Sequence, residues 1–432
     1  MIKKIFFITI VLFLINQKVF AVTLREALLQ AYINNPELNA EREIIKVSEE
    51  DLKISKGNYL PTVKISGNKS QEDTSKLTNR AGNDEAINDT NPLTQSITIE
   101  QTLLDFGRNA DVQKNRIGIK LANSKLLKKE QEILFKAIEA YSGLILANEK
   151  SKINQRNLDL LERQVETDRA RLERGQITLS DLAQSEASLA GTQANFIQSK
   201  NEIISNKLNY ENVIGLIADI NSLEKKFNMN LFLPNSLNNA IQTSKKNNPE
   251  LIIAKLEYEQ SEKDLIISRS DLSPSAKLSY ENSRSEDISA TYDKRNKSIL
   301  KATISWPIYS GGKNRASLNK SKSMQNRKKL LLDSATKAND TNIAIAWSTL
   351  QSSKSLLNSV VSQVKAAEIA NEGITAEYES GLGRSTLDII QSNSILLNAR
   401  IALANSERNY LLSQFMLLKS IGLLNSGHLK LQ

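Results

Sequence analysis

The chain contains an internal repeat, and this repeat constrains the fold more than any other feature. When the sequence is shifted by 213 positions, residues 24–66 align with residues 237–279. The pentapeptide Asn-Asn-Pro-Glu-Leu at residues 34–38 recurs unchanged at residues 247–251. Further matching blocks follow in the same order, at shifts of 205 and 207 positions. Blocks that match in a fixed order indicate a duplicated structural unit, so we expect two halves with the same succession of helices and strands.

Each half contains two segments in which apolar and polar residues alternate, the pattern of a strand with one apolar face. Two hydrophilic stretches, residues 68–91 and 281–297, separate the members of each pair and predict long exposed loops. The sequence therefore predicts two hairpins, with strands at about residues 60–68, 93–103, 274–283 and 298–308.

Long segments without proline follow each hairpin. Apolar residues recur in these segments with the three- and four-residue spacing of coiled coils. The pattern predicts two long helices, residues 108–173 and 313–380, and two return helices, residues 180–215 and 385–421. At about 1.5 Å per residue, each long helix extends roughly 100 Å, a length that no compact domain needs.

Composition argues against an enzyme and against bound cofactors. The chain has no Cys and a single His, His428, which removes thiol chemistry, Cys/His metal sites and most imidazole catalysis. The net charge of +9 is spread thinly along the chain, whereas nucleic-acid-binding proteins cluster such charge on one face. We therefore expect no catalysis, no cofactor, no metal and no nucleic acid, and we expect His428 to be solvated in the C-terminal tail.

The first 21 residues predict a secretory signal peptide. Two lysines precede an apolar run at residues 5–15, and the segment ends with a small residue, Ala21. The run is shorter than the roughly 20 residues that a membrane-spanning helix requires, and no Cys follows it as a site for a lipid anchor. We expect an exported chain with a first repeat at residues 22–225, a second repeat at 226–424 and a tail at 425–432.

An exported chain with four amphipathic strands is typical of the outer membrane. An open sheet edge in lipid leaves backbone hydrogen bonds unsatisfied, so membrane strands must close into a barrel. Known barrels have about eight strands or more. Because four strands are too few to close, we expect several chains to share one barrel, which a cylinder of their helices continues.

Short motifs mark the boundaries of the predicted elements. They are the duplicated Asn-Asn-Pro-Glu-Leu block, Tyr-Leu-Pro at residues 59–61, Leu-Asp-Phe-Gly-Arg at 104–108 and Trp-Pro-Ile-Tyr-Ser-Gly-Gly at 306–312. Together with the order of the elements, they resemble the TolC family, whose members are outer-membrane channel proteins of drug efflux and type I secretion. The absence of a Cys for a lipid anchor makes the chain more similar to the secretion-type branch.

The resemblance implies a mainly α fold with a small β part. It implies a homotrimer whose twelve-stranded β-barrel lies in outer-membrane lipid and continues into a twelve-helix periplasmic α-barrel. Such a channel exports small molecules or proteins across the periplasm and the outer membrane of a Gram-negative cell. The implied partners are a periplasmic adaptor (membrane fusion) protein and an inner-membrane ABC or proton-driven transporter.

The resemblance also implies a periplasmic gate at the turns between the long and return helices. The positions that match the family's gate are Asp181, Tyr378, Arg384 and Asp388. It suggests Asp181 as the partner of Arg384, and it places Gln391 where some members carry an acidic ring, which argues against strong cation selectivity. The simpler interpretation of both Asp residues is an acid in the first turn of a helix, favoured by the helix dipole.

The same turns lie farthest from the predicted strands, so we expect an adaptor to dock there. Ser180 and Ser385 are the candidate caps of the two return helices. The candidate docking residues are Gly175, Thr178, Ser180, Gly381 and Ser385.

Two other interpretations remain open at the level of sequence. A periplasmic or surface coiled-coil structural protein, or adhesin, would explain the heptad spacing but would leave the alternating strands without a role. A hydrolase with an unrecognised site is disfavoured by the near absence of His.

Overall fold

The computed structural model describes residues 22–73, 75–85, 90–217, 219–225, 231–288, 292–380 and 383–431. Over these residues the fold is mainly α with a small antiparallel β part, and the predicted duplication of the element order is confirmed. The predicted signal peptide, residues 1–21, lies outside the described residues, as does Gly381 in the second predicted docking turn.

Both halves follow the order helix, helix, strand, strand, long helix, return helix. The first half consists of α1 (Leu24–Asn34), α2 (Pro36–Gly57), β1 (Thr62–Lys69), β2 (Leu93–Leu104), α3 (Arg108–Glu173) and α4 (Leu179–Val213). The second half consists of α5 (Leu237–Asn247), α6 (Pro249–Ser270), β3 (Ser275–Glu286), β4 (Lys294–Ser305), α7 (Lys313–Glu379) and α8 (Thr386–Ser420).

An Asn-Pro step separates the first two helices of each half. Asn35 Oδ1 accepts hydrogen bonds from the backbone N–H groups of Glu37 (3.0 Å) and Leu38 (3.3 Å). Asn248 Oδ1 accepts one from the N–H of Glu250 (2.8 Å). Because the proline at the first helical position has no N–H to satisfy, the repeated Asn-Pro pair ends one helix and begins the next.

The second hairpin is longer than the sequence predicts. Much of residues 281–297, predicted as an exposed loop, belongs to β3 and β4 and is paired in an antiparallel ladder. The prediction was wrong because hydrophilic side chains remove the apolar face of a strand but leave its backbone free to pair. β4 ends at Ser305, before Pro307, which has no N–H to donate to a ladder.

The chain forms two compact units. Unit 1 comprises the described parts of Met1–Arg42, Lys125–Ile252 and Thr336–Gln432, and unit 2 comprises the described parts of Glu43–Ser124 and Ile253–Ala335. The long helices α3 and α7 each contribute residues to both units.

Unit 2 contains one antiparallel sheet with the strand order β1-β2-β3-β4. The sheet therefore joins the two repeats through the β2–β3 pair, in which Ile99 lies opposite Tyr280. Residues paired across the strands share one face, so Val63, Ile99, Tyr280 and Leu300 form one apolar row. The opposite face is hydrophilic throughout most of its length.

Unit 1 contains the hydrophobic core, which is centred on α3. The predicted coiled-coil seam is confirmed, because Ile133, Ala137, Ala140 and Leu144 are at most 1% exposed. Tyr141 lies in the same core, and its Oη donates a hydrogen bond to the carbonyl oxygen of Val22 (2.7 Å).

The C-terminal tail packs against this core. Leu429 and Leu431 are buried, and the backbone N–H of Ser426 donates to Glu130 Oε1 (2.5 Å). His428 is half-buried, so the prediction of a solvated His428 was wrong. The buried neighbours Leu429 and Leu431 hold the segment within unit 1, so water reaches only part of the His428 residue.

Within the part of the chain that the structure describes, no helix has the length and apolarity required to cross a membrane.

Candidate functional site

The first candidate turn joins α3 to α4 in unit 1. Gly175 has a φ of +71°, a backbone conformation that suits glycine, and its N–H bonds to the carbonyl oxygen of Leu172 (2.9 Å). Thr178 then caps α4, because its hydroxyl accepts a hydrogen bond from the N–H of Asp181 (3.2 Å). The expectation that Ser180 caps this helix was wrong, since Ser180 lies inside the first turn of α4.

Asp181 completes a capping box with Thr178. Its Oδ2 accepts hydrogen bonds from the backbone N–H of Thr178 (2.9 Å) and from the hydroxyl of Thr178 (2.7 Å). These two bonds, the backbone bond first, lower the pKa of Asp181 below its ordinary value. The side chain is half-buried at the tip, and both of these bonds are made by its Oδ2.

The second candidate turn joins α7 to α8 and has the same cap. The Ser385 hydroxyl accepts from the N–H of Asp388 (3.2 Å), and Asp388 Oδ2 accepts from the N–H of Ser385 (3.0 Å). The bonds from Ser385, with a smaller contribution from Arg384, lower the pKa of Asp388. Both predicted gate aspartates thus stabilise the start of a return helix, whatever else they do.

Tyr378 is the penultimate residue of α7 and is 4% exposed. Its Oη donates a hydrogen bond to Asp168 Oδ1 (2.7 Å) and lies 3.2 Å from Thr386 Oγ1. Burial, followed by the nearby Asp168 carboxylate, raises the pKa of Tyr378 above its ordinary value, so the hydroxyl remains protonated. The guanidinium carbon of Arg171 lies 4.2 Å from the centre of the tyrosine ring, at a cation–π distance.

Asp168 is the central acceptor of this network, and it is completely buried. Besides the Tyr378 hydroxyl, it accepts hydrogen bonds from the Ser185 hydroxyl (2.5 Å) and from Gln164 Nε2 (2.9 Å). Three donors compensate the loss of hydration that burial imposes on a carboxylate. The network joins residues of α3, α4, α7 and α8. It therefore holds together the tips of the two helical hairpins of unit 1, α3–α4 and α7–α8.

Arg384 is paired differently from the sequence expectation. Its Nε donates to Glu377 Oε2 (2.6 Å), and both side chains are about half exposed. The Glu377 carboxylate raises the pKa of Arg384. Among the described residues, no ion pair joins Arg384 to Asp181, because Asp181 is turned towards Thr178.

Four of the predicted residues lie around one cavity of about 460 Å³ at the tip of unit 1, whereas Asp388, Gly175, Thr178 and Ser180 do not line it. Asp181, Tyr378, Arg384 and Ser385 all line it, together with Arg171. The cavity is polar, and within the described residues no group of His, Asp and Glu side chains is arranged to hold a metal ion.

Six residues of the site are not among the sequence candidates: Gln164, Asp168, Arg171, Ser185, Glu377 and Thr386. Asp168 follows Leu158, Leu161 and Val165 at the three- and four-residue spacing of the buried seam. A carboxylate at an otherwise apolar seam position is the feature of the sequence that could have identified Asp168. Ser185 occupies the corresponding position three residues after the buried Leu182. Glu377 carries no such signal, because its side chain is exposed on α7.

The chain belongs to the outer membrane efflux protein family, whose sequence profile matches residues 27–216 and 240–423. This family contains channel proteins of the TolC type rather than enzymes.

Relatives of this chain cover nearly its whole length. The outer membrane efflux protein BepC of Brucella suis is 25% identical over 421 residues, which are 97% of this chain and 89% of BepC. The alkaline protease secretion protein AprF of Pseudomonas aeruginosa is 21% identical over 427 residues, which are 97% of this chain and 88% of AprF.

Solved structures show the same fold. The CmeC outer membrane channel of Campylobacter jejuni superimposes with a TM-score of 0.80 at 15% sequence identity. The match covers 92% of this chain and 85% of CmeC.

Proposed function

We propose that three copies of this chain form one duct through the outer membrane and the periplasm. The duct exports small molecules or proteins that a periplasmic adaptor and an inner-membrane ABC or proton-driven transporter deliver to it. The observation that carries this proposal is the sheet of unit 2. It has an exposed apolar face, and its two edge strands have no partner on their outer sides among the described residues.

The apolar face is the part of unit 2 that a membrane would cover. Val63, Ile65, Leu300 and Ile304 are 66%, 77%, 71% and 78% exposed. Soluble proteins rarely leave a contiguous apolar surface of this kind in water. Outer-membrane lipid in contact with this face would remove the cost of its exposure.

The edges of the sheet support sharing between chains. In the order β1-β2-β3-β4, only one side of β1 and one side of β4 is paired among the described strands. Backbone groups on the outer sides cannot remain unsatisfied in lipid. Pairing β4 of one chain with β1 of the next satisfies both edges, and three chains supply enough strands for a barrel.

Unit 1 offers a second surface for assembly. Ile197, Ile204 and Leu208 of α4 recur at spacings of seven and four residues, and they are 61%, 58% and 62% exposed. A neighbouring helix would cover such a stripe, as in a coiled coil. A coiled-coil adhesin would also cover it but would leave the apolar face of the sheet in water, so the duct is the better account.

The tips of unit 1 are the proposed docking surface for the adaptor. Gly175, Thr178, Ser180 and Ser385 are exposed there, and the glycine allows another backbone to approach closely. The sequence equivalence of the two turns extends the surface to Gly381. We propose that residues 1–21 direct the chain out of the cytoplasm.

The same tips form the proposed gate, with Asp181, Tyr378, Arg384 and Asp388. The network around Asp168 fixes Tyr378 within its own chain. Arg384 uses Nε for Glu377, and a guanidinium has five N–H donors. Donors therefore remain for a carboxylate of a neighbouring chain, for which the half-buried Asp181 is the candidate. Threefold repetition of this contact would hold the duct closed.

Cysteine crosslinking in outer membranes tests the assembly, because the native chain has no Cys. One cysteine is placed at successive positions of β1 and one on β4, at Ser298. We expect oxidation to produce covalent dimers and trimers for a subset of β1 positions. The matched control is Val63→Cys with Ile99→Cys, which lie opposite each other within one chain and should yield only crosslinked monomers.

Monomers throughout the β1 scan, from membranes in which the control pair crosslinks, would contradict the shared barrel. The adaptor and the transporter are identified by crosslinking intact cells and purifying this chain with whatever is attached to it. Recovery of no adaptor under conditions of active export would contradict the proposed partnership.

A further inference from the structure

We infer that the sheet section of this duct attracts anions, so that the solutes it passes most readily carry negative charge. This inference rests on the proposed duct and adds the charge class of its cargo. The inference follows from the charges on the hydrophilic face of the sheet in unit 2. None of the gate residues lies on this face.

The pairing register decides which side chains share that face. Thr62, Glu100, Ser279 and Lys301 form one row across the four strands. Because the opposite face is apolar and exposed, the membrane covers that opposite face and the hydrophilic rows line the lumen. The alternation of side chains thus assigns every strand residue to lipid or to lumen.

The hydrophilic face carries more positive than negative charge. Five cations and two carboxylates lie on it: Lys64, Lys277, Arg295, Lys297, Lys301, Glu100 and Glu281. Lys277 Nζ and Glu100 Oε1 are 2.9 Å apart and neutralise each other. The other four cations stand opposite hydroxyl side chains of the adjacent strand, and one carboxylate, Glu281, remains to balance them.

Assembly strengthens this imbalance. Each chain contributes an excess of three positive charges to the lumenal face, and three chains would enclose them within one ring. Walls of low dielectric focus the field of such charges into the aqueous space and raise the local concentration of counter-ions. The counter-ions here are anions.

The first part of α7 continues the same charge within unit 2. Its exposed cations form two stripes with a spacing of seven residues: Lys313, Lys320 and Arg327 on one side, and Arg315, Lys322 and Lys329 on the other. The stripes lie on opposite sides of the helix, since each residue advances it by about 100°. No carboxylate occurs between Lys313 and Asp333.

The position of α6 decides what the two stripes face. Ser321 and Lys328 of α7 contact Ser268 and Glu257 of α6 on a third side of the helix. A helix in the wall of a cylinder has neighbours on two sides, so one of its remaining sides fronts the lumen. Each of the two stripes has three cations about 10.5 Å apart. The side of α7 that faces the lumen therefore presents three cations, whichever of the two stripes lies on it.

Ion selectivity of purified trimers in planar bilayers tests this inference. Under a KCl gradient, the reversal potential should give a chloride-to-potassium permeability ratio above one. The ratio should fall towards one as the total salt concentration rises, because salt screens the lumenal charges. This second measurement needs no variant and so does not depend on the folding of a mutant.

Matched substitutions separate the lumenal charges from the overall charge. Lys64→Gln with Lys297→Gln removes one cation from β1 and one from β4 on the hydrophilic face, and it should lower the permeability ratio. Lys69→Gln with Lys294→Gln removes one cation from each of the same strands on the opposite face, and it should leave the ratio unchanged.

Conducting trimers that prefer potassium, or equal effects of the two pairs, would overturn the inference while leaving the duct intact. Inserted trimers that conduct no ions, even after the gate substitutions discussed below, would contradict the duct itself and the inference with it.

Discussion

Tyr378 donates a hydrogen bond of 2.7 Å to Asp168, although the two residues are 210 positions apart in the chain. Tyr378 lies in the last turn of α7, and Asp168 lies in the penultimate turn of α3. The bond therefore joins the ends of the two long helices in unit 1, one from each repeat. If the tip of one helical hairpin moves away from the tip of the other, the hydrogen bond between Tyr378 and Asp168 must break. Otherwise the two tips must move together.

Removing the polar contacts at this tip should open the proposed gate. Each hydrogen bond to a charged group contributes about 1.5–3 kcal/mol, and the exposed Arg384 pair contributes less because water screens it. We expect Arg384→Ser with Tyr378→Phe to raise single-channel conductance and to sensitise cells to large antibiotics, with Asp181→Ala giving part of the effect. Gln391→Ala is the control and should change little. Unchanged conductance of intact double-mutant trimers would exclude these residues as the lock.

Thr178 and Ser385 should stabilise the tips through their caps. Replacing an N-cap residue by alanine costs about 1 kcal/mol, so Thr178→Ala and Ser385→Ala should each increase hydrogen exchange in the first turn of α4 or α8. Ser180→Ala is the control, because Ser180 lies within α4 next to the cap and is exposed. An equal increase for Ser180→Ala would show that hydroxyl loss in general, and not capping, governs the exchange.

Gly422 and Gly215 occupy equivalent positions in the two repeats but differ in their surroundings. A Cβ atom on Gly422 would lie 2.2 Å from the carbonyl oxygen of Asn247, whereas one on Gly215 would meet no atom within 4 Å. Both have positive φ, so alanine strains the backbone at each site. We expect Gly422→Ala to reduce the yield of folded trimers severely and Gly215→Ala to reduce it mildly, measured in outer-membrane fractions. Equal yields would contradict a steric requirement at Gly422.

Alkaline pH should destabilise unit 1 through its buried tyrosines. Burial raises the pKa of Tyr210 to about 12, against an ordinary value of about 10. The folded state therefore favours the neutral hydroxyl, and its contribution to stability is complete below pH 10 and is lost as the pH rises towards 12. Tyr210→Phe should flatten the decline of the trimer melting temperature over this interval. Tyr309→Phe, at an exposed position, should not.

Local patterns in the sequence predict much of this fold. The duplicated Asn-Pro steps, the absence of proline after each hairpin and the heptad spacing in α3 each act within a few turns, so they indicate helices before any tertiary contact is known. Alternation likewise predicts β1 to β4, although polar positions hide the far end of β3 and β4.

The contacts within the tip could be predicted less well. The partner of Tyr378 is Asp168 on another helix, and no spacing rule connects residues so distant in sequence. Arg384 pairs with Glu377, seven positions earlier and within α7, and no helical spacing rule predicts this pair because Arg384 lies beyond the end of the helix. The choice of Thr178 over Ser180 as the cap depends on a shift of two residues in the start of α4, within the usual uncertainty of helix ends.

The β2–β3 pair has a consequence for how the protein is made. Thr94 and Ser285 bond to each other across 191 positions, so the chain between them must be synthesised before the sheet can form. Closing so long a loop is slow compared with forming the helices that lie within it. The first β-hairpin (β1 and β2) therefore waits, with its apolar side uncovered, until the second repeat has been made. We expect the nascent chain to depend on periplasmic chaperones during this interval, since an unpaired apolar strand is prone to aggregate.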